Sequence, residues 1–204
     1  MNIGIDNILK APRGKKILGF LDGSYWVVNE SDCRGCLMVS KKKDLADYLK
    51  PIYSDDDLQV IQDAEFAVPG FYVISTTKHY GTIADIPIEL SMKMGALTHL
   101  VRKGMKDILK IKHAEIYHEE RMENSHFHQW IIPCWEDNMN NSGYIPTIFK
   151  SKVTGYRHLT PDVLNYLRSF SFKDERGKIL KFNKQMSKYL KTQMDNIPII
   201  NYDN

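Results

Sequence analysis

The chain has 204 residues, 43% of them hydrophobic and 26% charged, a balance that suits one globular domain with a helical appendage and excludes a coiled coil, a collagen-like fibre or a disordered chain. Twenty-eight basic against 25 acidic residues leave a formal net charge of +3, compatible with an anionic ligand and short of the basic excess of a dedicated nucleic-acid binder. No apolar run reaches the length of a membrane span, and residues 1–18 interleave Asp6, Lys10, Arg13, Lys15 and Lys16 with their apolar side chains, unlike a secretory signal. The expected location is therefore the cytoplasm, where the three cysteines read as core thiols, metal ligands or nucleophiles rather than as a disulfide framework.

In chain order, residues 17–20 and 25–28 flank the turn Asp22-Gly23-Ser24 and predict a hairpin. Cys33-Arg34-Gly35-Cys36 follows, then Lys41-Lys42-Lys43 as a solvated face and a helical turn through Leu45 and Tyr48 closed by Pro51. Residues 58–63 and 71–75, separated by Val68-Pro69-Gly70, read as an antiparallel strand pair. Leu90, Met94, Leu97, Val101, Met105 and Ile108 recur every three or four residues and predict a long amphipathic helix over 87–110, with Pro87 in its first turn, Asp85 as its cap and its methionines as core. Residues 114–117 and 127–132 are expected strands joined by the polar stretch 119–125. After a loop at 138–143, Thr160-Pro161-Asp162 opens a helix through Leu164 and Leu167, and 178–193 is a second, basic one. Packing on the domain and extension to a partner are both open to these last helices.

Ser125-His126-Phe127-His128-Gln129-Trp130-Ile131-Ile132-Pro133 holds the only dense histidine cluster. On a strand, His126, His128 and Trp130 face one way at spacings of about 7 Å, and Phe127, Gln129 and Ile131 face the other. A His-x-His pair in isolation reads as two surface imidazoles. Here the apolar pair and proline that follow put it in a sheet core, where an unpartnered imidazole is costly. The two residues between Cys33 and Cys36 allow both sulfurs to meet one ion. Two core thiols or a redox pair are the alternatives, although no thioredoxin-like pattern surrounds them.

On these residues the chain resembles the histidine-triad (HIT) superfamily, whose signature is three histidines alternating with apolar residues, usually before a proline. Two of the three are present, His126 and His128. The resemblance spans roughly residues 33 to 135 and takes in Asp63, Pro69-Gly70, Val73-Ile74, Lys78-His79, the long helix and the strand at Ala114 in the family's order. It implies an α+β fold: a HIT-like antiparallel sheet of about five strands with a long amphipathic helix, plus a C-terminal helical extension. The corresponding division of the chain is a packed N-terminal segment (1–32), the HIT-like core (33–135) and the extension (136–204). The resemblance further implies a structural zinc held by Cys33, Cys36, His79 and His126, and His128 as the nucleophile that forms a nucleotidyl-histidine at an α-phosphate. By the same resemblance Asp63 contacts the ribose, and family members commonly form homodimers through the long helix and the neighbouring strand.

Two departures stand out. Trp130 occupies the third histidine's place on the substrate side, and an indole donates one hydrogen bond but relays no proton. Gln129 comes one residue too early to match the glutamine of the uridylyltransferase branch, and one residue on a strand is the opposite face. Residues 119–124 carry three glutamates and no glycine, with Arg121 and Ser125 as the available phosphate donors. The expected function is a HIT-type nucleotide hydrolase or nucleotidyl transferase. The alternative is a non-catalytic nucleotide-binding or protein-interaction module on the same zinc-stabilised fold. Nucleic-acid binding through the basic tail is weaker, for lack of aromatics to stack on bases, and no membrane partner is expected.

Overall fold

The structure, a computed structural model, describes residues 11–118, 120, 126–135 and 161–194. Arg121, Ser125, the loop at 138–143 and the cap at Thr160 lie outside them. Strands β1 (Lys15–Gly19) and β2 (Tyr25–Asn29) form the expected hairpin. Its turn is held by the Asp22 carboxylate, which accepts from the Ser24 amide and hydroxyl, with Gly23 at φ 84°.

The Cys-x-x-Cys segment is helical: α1 spans Arg34–Ser40, with Cys33 as its N-cap. Seven residues including a glycine do not hold a helix in water, so α1 depends on what it touches. The turn expected through Leu45 and Tyr48 is a 3-10 turn at Asp47–Leu49.

The main sheet comprises β3 (Tyr53–Ser54), β4 (Leu58–Gln62), β5 (Tyr72–Thr76), β6 (His113–His118) and β7 (His128–Cys134), in the spatial order β3-β4-β5-β7-β6 with every pairing antiparallel. Only β3, two residues long, has no counterpart in the sequence pattern. Helix α2 (Ile88–Asp107) connects β5 to β6. It begins after Pro87, while Asp85 closes a capping box with Thr82 on a separate 3-10 turn. Asp85 therefore caps that turn and not α2, whose N-cap position is Pro87, because the Asp85 carboxylate is taken up by the Thr82 amide and hydroxyl.

Alternation along the strands divides the sheet into two faces. Leu58, Val60, Tyr72, Ile74 and Ile131 pack with Met94, Leu97, Val101 and Met105 of α2. Ile61, Val73 and Ile132 turn the other way and share a cluster with Met38 of α1 and Phe20 of the hairpin. Helices α3 (Pro161–Arg168) and α4 (Phe172–Met194) pack against the sheet rather than projecting from it. Buried Tyr166 donates its hydroxyl hydrogen to the Pro133 carbonyl at 2.6 Å and accepts from the Trp135 amide at 3.0 Å. Phe182, Met186 and Leu190 of α4 join the α2 cluster. Among the described residues no helix is long and apolar enough to cross a membrane.

Candidate active site and metal centre

The end of β5, the start of β7 and the first turn of α1 converge at one end of the sheet's central strands. His126 is buried just before β7, and its Nε2 lies 2.8 Å from the Thr76 carbonyl. A carbonyl carries no proton, so Nε2 holds the hydrogen and Nδ1 bears the lone pair. That Nδ1 is 3.5 Å from both Cys33 Sγ and Cys36 Sγ, and His79 Nδ1 is 3.3 Å from Cys36 Sγ. The turn after β5 delivers His79, steadied by the Phe127 amide donating to the Tyr80 carbonyl at 2.7 Å.

The donor atoms of Cys33, Cys36, His79 and His126 all lie within 4.8 Å of one another, a group able to hold a metal ion. A tetrahedral ion with sulfur at about 2.3 Å and nitrogen at about 2.0 Å separates those atoms by about 3.5 Å, close to the 3.3–3.5 Å of these three sulfur–nitrogen pairs. The His126 Nε2–H to Thr76 carbonyl bond is the outer contact that orients a ligating imidazole. Burial, with the neighbouring Cys33 adding to it, pushes the Cys36 thiol up to about 11, and burial pulls His126 down. Both shifts favour neutral side chains, whose protons a cation would displace from the thiols. Gly35 makes the approach possible: a Cβ there would sit 2.3 Å from His126 Cγ.

Beside this cluster, on the face away from α2, lies a cavity of about 160 Å³ whose lining includes Asp63, Ser75, His128 and Trp130. The sheet sets its floor in rows: Gln59, Ser75 and His128 are in register across β4, β5 and β7, as are Ile61, Val73 and Trp130. Gln59 Nε2 donates to the Ser75 hydroxyl at 3.1 Å. His128 Nδ1 is 2.8 Å from the His126 carbonyl, so Nδ1 carries the hydrogen and Nε2 the lone pair. Trp130 packs by its ring, 5.5 Å from His128, edge-on to Phe71 and stacked on Tyr117. Gln129 faces α2, where its Oε1 accepts from the Thr98 hydroxyl at 2.6 Å.

Asp63 follows β4 and is buried, with Oδ1 accepting from the amides of Glu65 and Phe66. Burial first, and then the negative charge of Glu65, raise its carboxyl to about 7. The structure thus brings together Cys33, Cys36, His79 and His126 at one point and Asp63, His128 and Trp130 around one cavity. Sequence reasoning missed Arg34, Gly35, Gln59 and Ser75, which also line the cavity. The alternation Gln59, Ile61, Asp63 was a signal for Gln59, whereas Arg34 had none, since its place depends on where α1 lies over the sheet.

No family model and no curated protein matches the sequence. Among solved structures, a hypothetical histidine-triad nucleotide-binding protein of Sulfolobus tokodaii superposes with a TM-score of 0.50 at 21% identity, covering 81% of this chain and 98% of that one. The fold is a HIT-type fold. A zinc-bound histidine-triad family protein of Mycobacterium smegmatis gives a TM-score of 0.48 at 17% identity over 79% of this chain and 97% of its own. A HIT-like protein of Bartonella henselae involved in cell-cycle regulation gives 0.48 at 14% over 76% and 93%.

Proposed function

We propose that the protein is a HIT-type nucleotide hydrolase or nucleotidyl transferase acting at the α-phosphate. One observation carries this reading. His128, its Nδ1–H given to the His126 carbonyl and its lone pair therefore on Nε2, lines the cavity that Asp63 and Trp130 also line. Nε2 attacks the α-phosphorus, the bond from phosphorus to the leaving group's oxygen or nitrogen breaks, and water then displaces the imidazole to release the nucleotide. Asp63 holds the ribose hydroxyls, with Arg121 and Ser125 as phosphate donors. Trp130 donates one hydrogen bond on the substrate side, so the proton for the leaving group comes from elsewhere, and good leaving groups are preferred.

Zinc is the metal proposed for Cys33, Cys36, His79 and His126, as a closed tetrahedral structural ion that ties α1 to the sheet. A homodimer belongs to the same reading. β6 is an edge of the sheet, and Ile116 on it and Ile88 on α2 are 49% and 68% exposed. Light scattering giving the monomer mass would remove the dimer alone.

The test is mass spectrometry after incubation with a nucleoside 5′-phosphoramidate. A nucleotidyl adduct on His128, absent in His128→Ala with metal content unchanged, is the expected result. Trp130 at the third position favours a second reading, a nucleotide-binding module without turnover. Tight nucleotide binding with neither adduct nor product would establish it.

A further inference from the structure

The cavity has a second polar end that the chemistry at His128 does not use. Arg34, the first residue of α1, is ion-paired through Nη1 with Glu65 Oε1. Its Nη2 is buried and, among the described residues, has no hydrogen-bond partner. A buried guanidinium N–H without an acceptor is costly and marks the place of a missing one. Arg34 and Glu65 both line the cavity, and Met38, Ile61, Ala64 and Val73 line the apolar slot beside them.

The missing acceptor is not a phosphate. The Arg34 charge is already met by Glu65, whose negative charge also opposes ionisation of the nearby Asp63 carboxyl and would repel an anion placed there. A neutral flat ring suits the apolar slot, provided its edge offers an acceptor to Arg34 and donors to the carboxylate. Glu65 lies beyond β4, and His128 sits on β7. Two strand spacings, about 10 Å, therefore separate β4 from the strand that carries His128.

We propose that Arg34 and Glu65 form a base-reading pair that selects guanine, a specificity that rests on the nucleotide reading above. Arg34 donates to the O6 oxygen, and Glu65 accepts from N1–H and the exocyclic amine. Adenine offers one acceptor beside one donor on any edge. Guanine alone presents an acceptor followed by two donors, and so gives both oxygens of Glu65 a hydrogen where adenine gives one.

The test is calorimetric titration of metal-loaded protein with guanosine, inosine and adenosine 5′-monophosphates. Guanosine monophosphate should bind tightest, about tenfold or more above inosine and adenosine monophosphates, each of which offers Glu65 a single donor. Glu65→Gln, which leaves a single acceptor oxygen, should erase most of that preference, and Arg34→Met should weaken all three ligands and guanosine monophosphate most. Metal analysis of each variant shows that the neighbouring cysteines are intact, and Glu65, half exposed and outside α1, keeps the test alive if Arg34→Met does not fold. Equal affinities in the wild type, or equal losses for all three ligands in both variants, would overturn guanine selection and leave the nucleotide reading standing. Failure of folded, metal-loaded protein to bind any of the three overturns both.

Discussion

On the α2 face of the sheet, Leu58, Val60, Tyr72, Ile74 and Ile131 meet Met94, Leu97, Val101 and Met105 in a continuous apolar layer. The α1 face sets Gln59, Asp63, Ser75 and His128 among Ile61, Val73 and Trp130. The first face is stabilised by burial at about 25 cal/mol per Å² of apolar surface. The second gives up part of that surface to polar groups, and its helix is too short to stand alone. Four side chains from three segments converge where that helix meets the sheet. The face that carries the candidate chemistry thus adds to its packing a group of side chains able to hold a metal ion, where the opposite face has packing alone.

Metal removal should separate the two faces most sharply. Chelation, or Cys36→Ser, removes binding energy that in structural zinc sites is on the order of 10 kcal/mol of folding energy. The α1 amides should lose hydrogen-exchange protection first, with α2 amides keeping theirs. Leu97→Ala, fully buried on the other face, should cost about 2–5 kcal/mol with metal content unchanged. Retained α1 protection in metal-free protein would show that packing alone holds both faces.

Two glycines give the next largest contrast. Alanine at Gly35 would place its Cβ 2.3 Å from His126 Cγ and 2.7 Å from Nδ1, in a ring already fixed by the Thr76 carbonyl. At Gly104 the nearest atoms, at 2.8 Å, are Cε and Sδ of Met186 and Cδ1 of Tyr189, and the methionine tip can swing aside. Gly35→Ala should therefore lose metal and about 3 kcal/mol. Gly104→Ala, where the Tyr189 ring must shift as well as the methionine tip, should cost about 1–2 kcal/mol after its gain in helix propensity and leave metal occupancy unchanged. Full metal occupancy in Gly35→Ala would contradict the close approach of α1 to His126.

Asp63 gives the α1 face a pH dependence of its own. Its carboxyl titrates near 3.8 when exposed and is raised to about 7 in the fold, by burial first and then by Glu65. Between these values the native state binds more protons than the unfolded one. The contribution of Asp63 is therefore fully present below about pH 4 and lost as pH rises through about 7, at about 1.4 kcal/mol for each pH unit crossed. Asp63→Asn keeps the oxygen that accepts from the Glu65 and Phe66 amides and removes the titration. The wild-type stability advantage over the variant should shrink from pH 5 to pH 8 in denaturant titrations. A difference that grows with pH would show that Asp63 is stabilised as the anion.

The same contrast explains what was legible in the sequence. Helix α2 and the β4–β5 pair announce themselves because burial on one face repeats at a fixed period, and alternation correctly assigned His128 and Trp130 to one side and Gln129 to the other. The metal cluster was legible through residue types at separated positions. The helical state of Cys33-Arg34-Gly35-Cys36 was not, because so short a segment takes its conformation from tertiary contact. β3 pairs with β4 through only two residues and leaves no periodic trace. Arg34 and its unpartnered Nη2 are visible only once α1 lies on the sheet.

The smallest effect tests the finest of these assignments, the face on which Gln129 lies. Its Oε1 accepts from the Thr98 hydroxyl of α2 at 2.6 Å, while its neighbours His128 and Trp130 line the cavity. Thr98→Val removes the donor and should cost about 1 kcal/mol, with nucleotide affinity unchanged, since no proposed step passes through α2. Adding Gln129→Leu to Thr98→Val, which removes the acceptor as well, should cost no more than that, because a pair replaced on both sides leaves no polar group stranded. The register of β7 makes this a strict test. A slip of one residue would exchange the faces of Gln129 and Trp130, so Gln129→Leu would then weaken nucleotide binding and Trp130→Leu would not.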